Sequence, residues 1–334
     1  MILRKIVPAI ACTCLTMMIV SCGGQGDDLP ESRTNDTAQK VVFESTRDGG
    51  YDLYRMNADG TGIERLTANK GYNRDPQWSP DGTKIVFSSN RIKRTQYSLF
   101  VMNADGSVPT LIYNPGAVCS NPTWSPDGSK IALDSNLYHE RNIYVINQDG
   151  TDPVNLTNND EKNYYPTWSP DGKKIAFVSE RSGNPDIWVI NVDGSDPVNL
   201  TNSVADDIMP SWSPDGIHIA YVSNRHSMSP EMILGKGETP PDELTTILPD
   251  PDNDIYVMNA DGSDVRNITN FNGHDFNPMW NEDGSKIIFV SFRDRKRDIF
   301  IMNADGSDVQ RLTDDKDMDN RPDISISRES WDTE

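Results

Sequence analysis

Cysteine, histidine and basic charge are all scarce in this chain, and each scarcity closes off a class of chemistry. Three of the four cysteines, Cys12, Cys14 and Cys22, lie within the first 22 residues, leaving Cys119 alone in the body of the sequence. A lone cysteine forms no internal disulfide, so no disulfide framework staples the fold. The four histidines, His139, His218, His226 and His274, are scattered, and neither an H-E-x-x-H pair nor a G-x-S-x-G elbow occurs. Thirty-one basic residues face 51 acidic ones, a net charge of −20. Such a chain repels nucleic acid and anionic lipid surfaces. Beyond residue 40 no stretch sustains a helical period.

The first 22 residues are a targeting segment. Arg4 and Lys5 form a positive start, and Ile6 to Val20 is an apolar run too short for a comfortable membrane span. The ending "IVSC" resembles the bacterial lipobox, which implies that Cys22 carries a lipid anchor. The plainer reading is an ordinary cleaved signal, with Cys22 incidental. Removing positions 1–21, with their two basic residues, would take the net charge to about −22. Residues 22–39 read as a flexible polar tether.

What is abundant is repetition. The tetrapeptide N-x-D-G occurs six times, ending at Gly60, Gly106, Gly150, Gly194, Gly262 and Gly306, at spacings of 46, 44, 44, 68 and 44. A second marker, W-S-P-D-G, starts at Trp78, Trp124, Trp168 and Trp212, with the variant "WNEDG" at Trp280. Lys174–Ser179 and Asp186–Asn191 are β-rich runs, and the Pro, Asn, Asp and Gly between such runs are turn formers. Each unit predicts a four-stranded antiparallel meander, the content of one propeller blade.

The two ends of the repeat region are complementary. Lys40–Ser45 matches the second strand of a unit, whereas "NRPDISIS" from Asn320 stands in register as a first strand. The fold class expected is therefore all-β: a six-bladed β-propeller of four-stranded antiparallel blades, its ring closed by a composite blade from both termini. An open ring would expose strand edges that invite aggregation. The propeller spans 40–327, with an insertion at about 226–249 and a tail at 328–334.

The runs "YPTWSPDGKKIAFVSER" and "DIYVMNADGSD" resemble the propeller repeats of the TolB family. That family includes a periplasmic component of the bacterial Tol–Pal envelope system, so the resemblance implies the propeller fold and a binding role in the envelope. Related repeats accompany prolyl-oligopeptidase-type hydrolases and oligogalacturonate-lyase-type enzymes. Where TolB has an α/β domain before its propeller, only the tether precedes the first strand of this sequence.

Several residue sets are candidates for chemistry. N-x-D-G-x-D has oxygens that calcium accepts, but its glycine comes too early for a calcium loop, and a turn requirement explains all six copies. The periodic tryptophans pack between blades, or, if exposed, stack sugars. Arg47, Arg91, Arg181, Arg225 and Arg293 recur after the second strand, with Leu137 in the odd copy, and predict a structural hydrogen-bonding role.

Three residues before each blade's proline stand Asn73, Cys119, Asn163, Asp207, Asp275 and Asp319; next to them stand Arg74, Ser120, Tyr164, Ile208, Phe276 and Asn320. Strand order places both sets at one channel mouth, where the first would form an acidic ring for a cation or a basic peptide. Loop-backbone preference for Asn and Asp accounts for them equally well. The insertion opens on this same face as a lid or docking loop, or as a passive packed insertion, and "TPPDELTTIL" within it could start a short helix.

These readings converge on a non-enzymatic, cofactor-free, monomeric envelope protein that docks a protein or peptide at its channel mouth and meets the membrane only through its lipid. The alternative is a glycan-active lyase or carbohydrate-binding propeller, with a metal at His226 and His274.

Overall fold

Among the described residues, the alternation of β-rich runs with Pro, Asn, Asp and Gly turns resolves into 24 strands in six sheets of four. The computed structural model describes residues 39–68, 71–138, 140–225, 252–271, 273–293, 296–314 and 316–325. Cys22, His139, His226, the insertion at 226–249 and the tail at 328–334 lie outside the described residues. Those described all belong to the compact unit Asp36–Glu334, and no α-helix occurs among them.

Blade 1 contains β1 (Lys40–Ser45), β2 (Asp52–Asn57) and β3 (Glu64–Arg65). Blade 2 contains β4 (Asn73–Trp78), β5 (Lys84–Lys93), β6 (Gln96–Asn103) and β7 (Thr110–Tyr113). Blade 3 contains β8 (Cys119–Trp124), β9 (Lys130–Tyr138), β10 (Glu140–Asn147) and β11 (Val154–Asn155). Blade 4 contains β12 (Asn163–Trp168), β13 (Lys174–Ser179), β14 (Asp186–Asn191) and β15 (Val198–Asn199). Blade 5 contains β16 (Asp207–Trp212), β17 (His218–Ser223), β18 (Asp254–Asn259) and β19 (Arg266–Asn267). Blade 6 contains β20 (His274–Trp280), β21 (Lys286–Arg293), β22 (Lys296–Asn303) and β23 (Gln310–Arg311).

The last strand, β24 (Asp319–Ile324), completes blade 1 in the order β24-β1-β2-β3. It runs antiparallel to β1, with Val41 opposite Ile324 and Ser45 opposite Asp319. Ser325 N donates to Lys40 O at 2.8 Å, and Thr46 N to Met318 O at 3.1 Å, so main-chain bonds flank the seam at both ends. The composite blade expected from the sequence is present.

Between neighbouring blades lie six apolar cores. Val42 and Leu53 of blade 1 pack with Trp78, Ile85 and Phe87 of blade 2, while Val41 and Phe43 face Ile288 and Ile299 of blade 6. Successive residues of one strand thus serve opposite cores, as a period of two requires. Burying each such side chain stabilises by about 1.5–3 kcal/mol. Trp78, Trp124 and Trp168 are buried in these cores and Trp212 and Trp280 half-buried, which is the packing role expected of them.

The turns carry their own chemistry. In the first N-x-D-G turn, Asp59 Oδ1 accepts from Thr61 N at 2.9 Å and Thr61 Oγ1 at 2.6 Å, and Gly60 N donates to Asn57 O at 2.9 Å. In W-S-P-D-G, Asp81 Oδ1 accepts from Ser79 Oγ at 2.6 Å and Thr83 N at 2.9 Å. Such acceptor bonds hold the Asp59 carboxyl low, and Asp127, in the W-S-P-D-G turn of blade 3, at about 2. At Gly60 the backbone has φ +84, and an added Cβ would stand 2.5 Å from Leu312 O of the last blade. The turn therefore sets both the reversal and the approach of neighbouring blades.

Candidate functional site

The innermost strand of each blade, β24, β4, β8, β12, β16 and β20, has one design. At or next to its start stands a small residue, Asn, Asp or Cys; a variable one follows, and the third immediately precedes a proline. All six pre-proline residues, Asp75, Asn121, Tyr165, Met209, Asn277 and Arg321, have φ between 50 and 55. The pairing register slips at the same place, as between Tyr164 and Thr167 on β12. This bulge breaks the period of two and sends consecutive positions to three different surroundings.

The first set goes inward. Asn73, Cys119, Asn163, Asp207, Asp275 and Asp319 are fully buried, so the acidic ring expected at the channel mouth faces the blade interior instead. In five blades the recurring arginine seals it there. Arg47 Nη2 donates to both Asp319 oxygens at 2.9 and 3.0 Å, Arg91 to Asn73 at 2.7 Å and Arg181 to Asn163 at 3.1 Å. Arg225 donates to Asp207 at 3.0 and 2.8 Å, while Arg293 stands 3.8 Å from Asp275. Arg47 Nε also donates to Ser45 Oγ at 2.9 Å, a bond repeated by Arg91, Arg181, Arg225 and Arg293 to their own serines. The structural role expected of these arginines is thus present.

Each arginine also lies over an aromatic ring of the third strand. The distances are 4.8 Å for Arg47 and Tyr54, 4.5 Å for Arg91 and Phe100, and 4.6 Å for Arg181 and Trp188. Blade 3 departs twice at once: Cys119 replaces the acceptor and Leu137 the arginine, which packs in one core with Tyr144. Burial pushes the Cys119 thiol up to about 12, so it is unreactive near neutral pH.

The second set stays at the rim. Arg74, Ser120, Tyr164, Ile208, Phe276 and Asn320 are all half-buried. Arg74, Phe276 and Asn320 line a pocket of about 210 Å³ together with Glu44, Tyr165, Met209, Asn277, Arg297 and Arg321. The sequence alone did not single out Glu44, Arg297 or the pre-proline residues; the shared X-Pro position was the available signal.

Below the rim the channel is narrow, about 110 Å³, and the pre-proline residues line it. Arg321 crosses it. Its guanidinium lies 3.1 Å from Glu44 and 2.9 Å from Asp75, donates to Asn121, and reaches Tyr165 Oη at 3.5 Å. Burial alone would lower the Arg321 pKa; Asp75, Tyr165 and Glu44 outweigh it and raise it. Glu44 also pairs with Arg74 at 3.2 Å, yet burial still holds its carboxyl above the usual range. Asp134 accepts from Asn121 at 2.6 Å and pairs with Arg141 at 3.3 Å, and burial sets it at about 6.

The mouth is consequently two-sided. Blades 1 to 3 supply Glu44, Arg74, Asp75, Asn121, Asp134 and Arg141, whereas blades 4 to 6 supply mainly Tyr164, Tyr165, Ile208, Met209 and Phe276, with Asn277 and Arg297 of blade 6 beside them. His274 stacks on Phe276 at 5.7 Å, and its Nδ1 lies 3.4 Å from Asn253 Nδ2. Among the described residues no group of three His, Cys, Asp or Glu is arranged to hold a metal.

This ring of N-x-D-G and W-S-P-D-G blades has known counterparts. A family profile described as the TolB beta propeller domain matches residues 33–113, 92–230 and 242–330, and the chain belongs to that family. Over 62 residues it is 34% identical to the Tol-Pal system protein TolB of Geobacter sulfurreducens, a stretch covering 18% of this chain and 14% of that relative. The match thus spans well under two thirds of the relative's length. The crystal structure of TolB from Acinetobacter baumannii superposes with a TM-score of 0.68 at 18% identity, covering 86% of this chain and 66% of that one. An oligogalacturonate lyase from Vibrio parahaemolyticus superposes with a TM-score of 0.53 at 16% identity, covering 81% and 74%. At these identities the structural likeness is one of fold.

Proposed function

We propose that this protein is a non-enzymatic binding module of the bacterial envelope that docks a protein or peptide across its channel mouth. The observation carrying this reading is the two-sided rim. Apolar and aromatic side chains at Tyr164, Ile208 and Phe276 supply area for a partner to bury, and the charged side opposite fixes its orientation. Arg321 blocks passage through the ring, so a ligand sits on the mouth rather than threading it. Family membership supports a scaffold role of the kind the name Tol-Pal system protein gives its relative. In this reading Cys22 holds a lipid anchor, residues 22–39 are the tether, and the monomeric propeller of 40–327 works on the periplasmic side of the outer membrane without nucleic acid or cofactor.

The test is cross-linked capture from envelope extracts with the wild-type chain and an Ile208→Ser/Phe276→Ser variant. Loss of one defined partner in the variant, with an unchanged far-UV spectrum, is expected; equal capture by both removes the reading. Metabolic labelling with palmitate, abolished by Cys22→Ser, checks the anchor. The rival reading, a glycan-active enzyme with a metal at His274 and His226, requires stoichiometric metal in the purified protein.

A further inference from the structure

The mouth pocket holds one cation more than it needs for itself. Of its three arginines, Arg74 pairs with Glu44 at 3.2 Å and Arg321 with Asp75 at 2.9 Å. Arg297 is different. It is exposed at the start of β22 and makes no ion pair among the described residues. Its neighbour Asp298 is buried and pairs with Arg311, because successive strand residues face opposite sides. The Arg297 guanidinium rests over the Phe276 ring, 5.8 Å from its centroid, so its position at the rim is defined. Asn277 and Asn320 line the same pocket, and their side-chain amides make no hydrogen bond among the described residues.

Among the described residues, then, a guanidinium without an ion pair stands beside two amides without hydrogen bonds, a donor set without an acceptor in a chain of net charge −20. Guanidinium forks match carboxylates and phosphates. Here Glu44 lines the same pocket, so a dianion meets repulsion that a single negative charge largely avoids. We infer that the mouth pocket is a carboxylate-binding site, in which the docked partner places an aspartate or glutamate side chain against Arg297. This deepens the docking reading above and rests on it, and it makes the partner acidic at its contact point, where an acidic ring at the mouth would have taken a cation or a basic peptide.

The probe is terminally blocked tetraglutamate, with blocked tetralysine as its opposite, titrated against the full chain while the arginine Nε–Hε resonances are followed by NMR. Tetraglutamate is expected to shift the Arg297 resonance saturably, and Arg297→Gln to weaken its binding at least tenfold. Arg266→Gln, on the outer strand β19, is expected to change it less than twofold. Binding of tetralysine at this resonance, absence of any tetraglutamate shift, or equal weakening by both substitutions would each overturn the assignment. Captured partner provides the separation from the docking reading. Retention equal in wild type and Arg297→Gln, but lost in Ile208→Ser/Phe276→Ser, sinks the carboxylate site and leaves docking intact. Retention unaffected by either variant sinks both.

Discussion

Arg321 Nη1 lies 2.9 Å from Asp75 Oδ1, across the seam where the last strand of the chain meets blade 2. The same guanidinium touches Glu44, Asn121 and Tyr165, so one side chain from β24 contacts residues of blades 1, 2, 3 and 4. Ring closure is therefore made twice, by main-chain pairing to β1 and by this charge in the channel. Replacing Arg321 with Met would leave the buried Glu44 with Arg74 alone and the half-buried Asp75 without the Arg321 charge, and removing one partner of a buried pair costs about 3–5 kcal/mol. The expected result is a urea midpoint lowered accordingly. Most of the loss returns in Arg321→Met/Glu44→Gln/Asp75→Asn, where no carboxylate is left unpaired. An unchanged midpoint for Arg321→Met would show that the network adds nothing.

The buried carboxyls set a pH dependence opposite to the familiar one. Burial raises Asp134 and Asp275 to about 6 and Asp323 to about 7, against an ordinary value of 3.8. Between pH 5 and 7, where the lowered turn carboxyls are ionised in both states, these buried groups hold more protons in the folded chain than in the unfolded one, so stability falls as pH rises. This contribution is complete below the unfolded value and is lost through the folded values. The thermal midpoint is expected to be higher at pH 5 than at pH 7.5. Asp323→Asn removes the titrating group and should flatten the slope, while its amide oxygen can still accept from Trp78 N, now 2.7 Å from the carboxylate. A midpoint rising from pH 5 to 7.5, or an unaltered slope in the variant, would contradict this.

Blade number, strand order and the composite closure were legible because N-x-D-G and W-S-P-D-G are turn chemistry, which is local. The destination of Asn73, Asp207 and Asp319 was not, because it depends on a backbone event. With a period of two, Asn73 and Asp75 would share a face. The left-handed residue at Asp75, φ 53, turns the first into the blade and the second into the channel. Arg321 was equally hidden: it occupies the position of Tyr165 and Met209, and only the closed ring brings it to Glu44 and Asp75. The pairing of each buried polar residue with an arginine did leave a trace, since Cys119 and Leu137 break the pattern in the same blade.

Close approach between blades predicts unequal costs for chemically identical changes. Gly150 and Gly116 both have left-handed backbone, φ 86 and 82. A Cβ at Gly116 meets nothing within 4 Å, whereas at Gly150 it would stand 1.7 Å from Ile112 O. Gly116→Ala should cost only the conformational strain, about 1–2 kcal/mol. Gly150→Ala should cost clearly more, since blade 3 must also move away from blade 2. Equal denaturation midpoints for the two variants would mean that the turn alone requires glycine.

Blade 3 supplies a tested replacement for the charged pair in blade 5. Arg225→Leu alone leaves Asp207 fully buried without its guanidinium, 2.8 Å away in the intact protein, and a cost of about 3–5 kcal/mol is expected. Adding Asp207→Cys recreates the combination that blade 3 already carries, with Cys119 3.8 Å from Ser135 Oγ and Leu137 in the apolar core. The double variant should therefore be more stable than Arg225→Leu, with a coupling of at least about 1 kcal/mol in a double-mutant cycle. Tyr256, which now lies under Arg225 at 5.0 Å, gains the leucine as its neighbour, as Tyr144 has in blade 3. If the two substitutions add without coupling, the arginine and the buried acid act separately, and their joint absence from blade 3 has another cause.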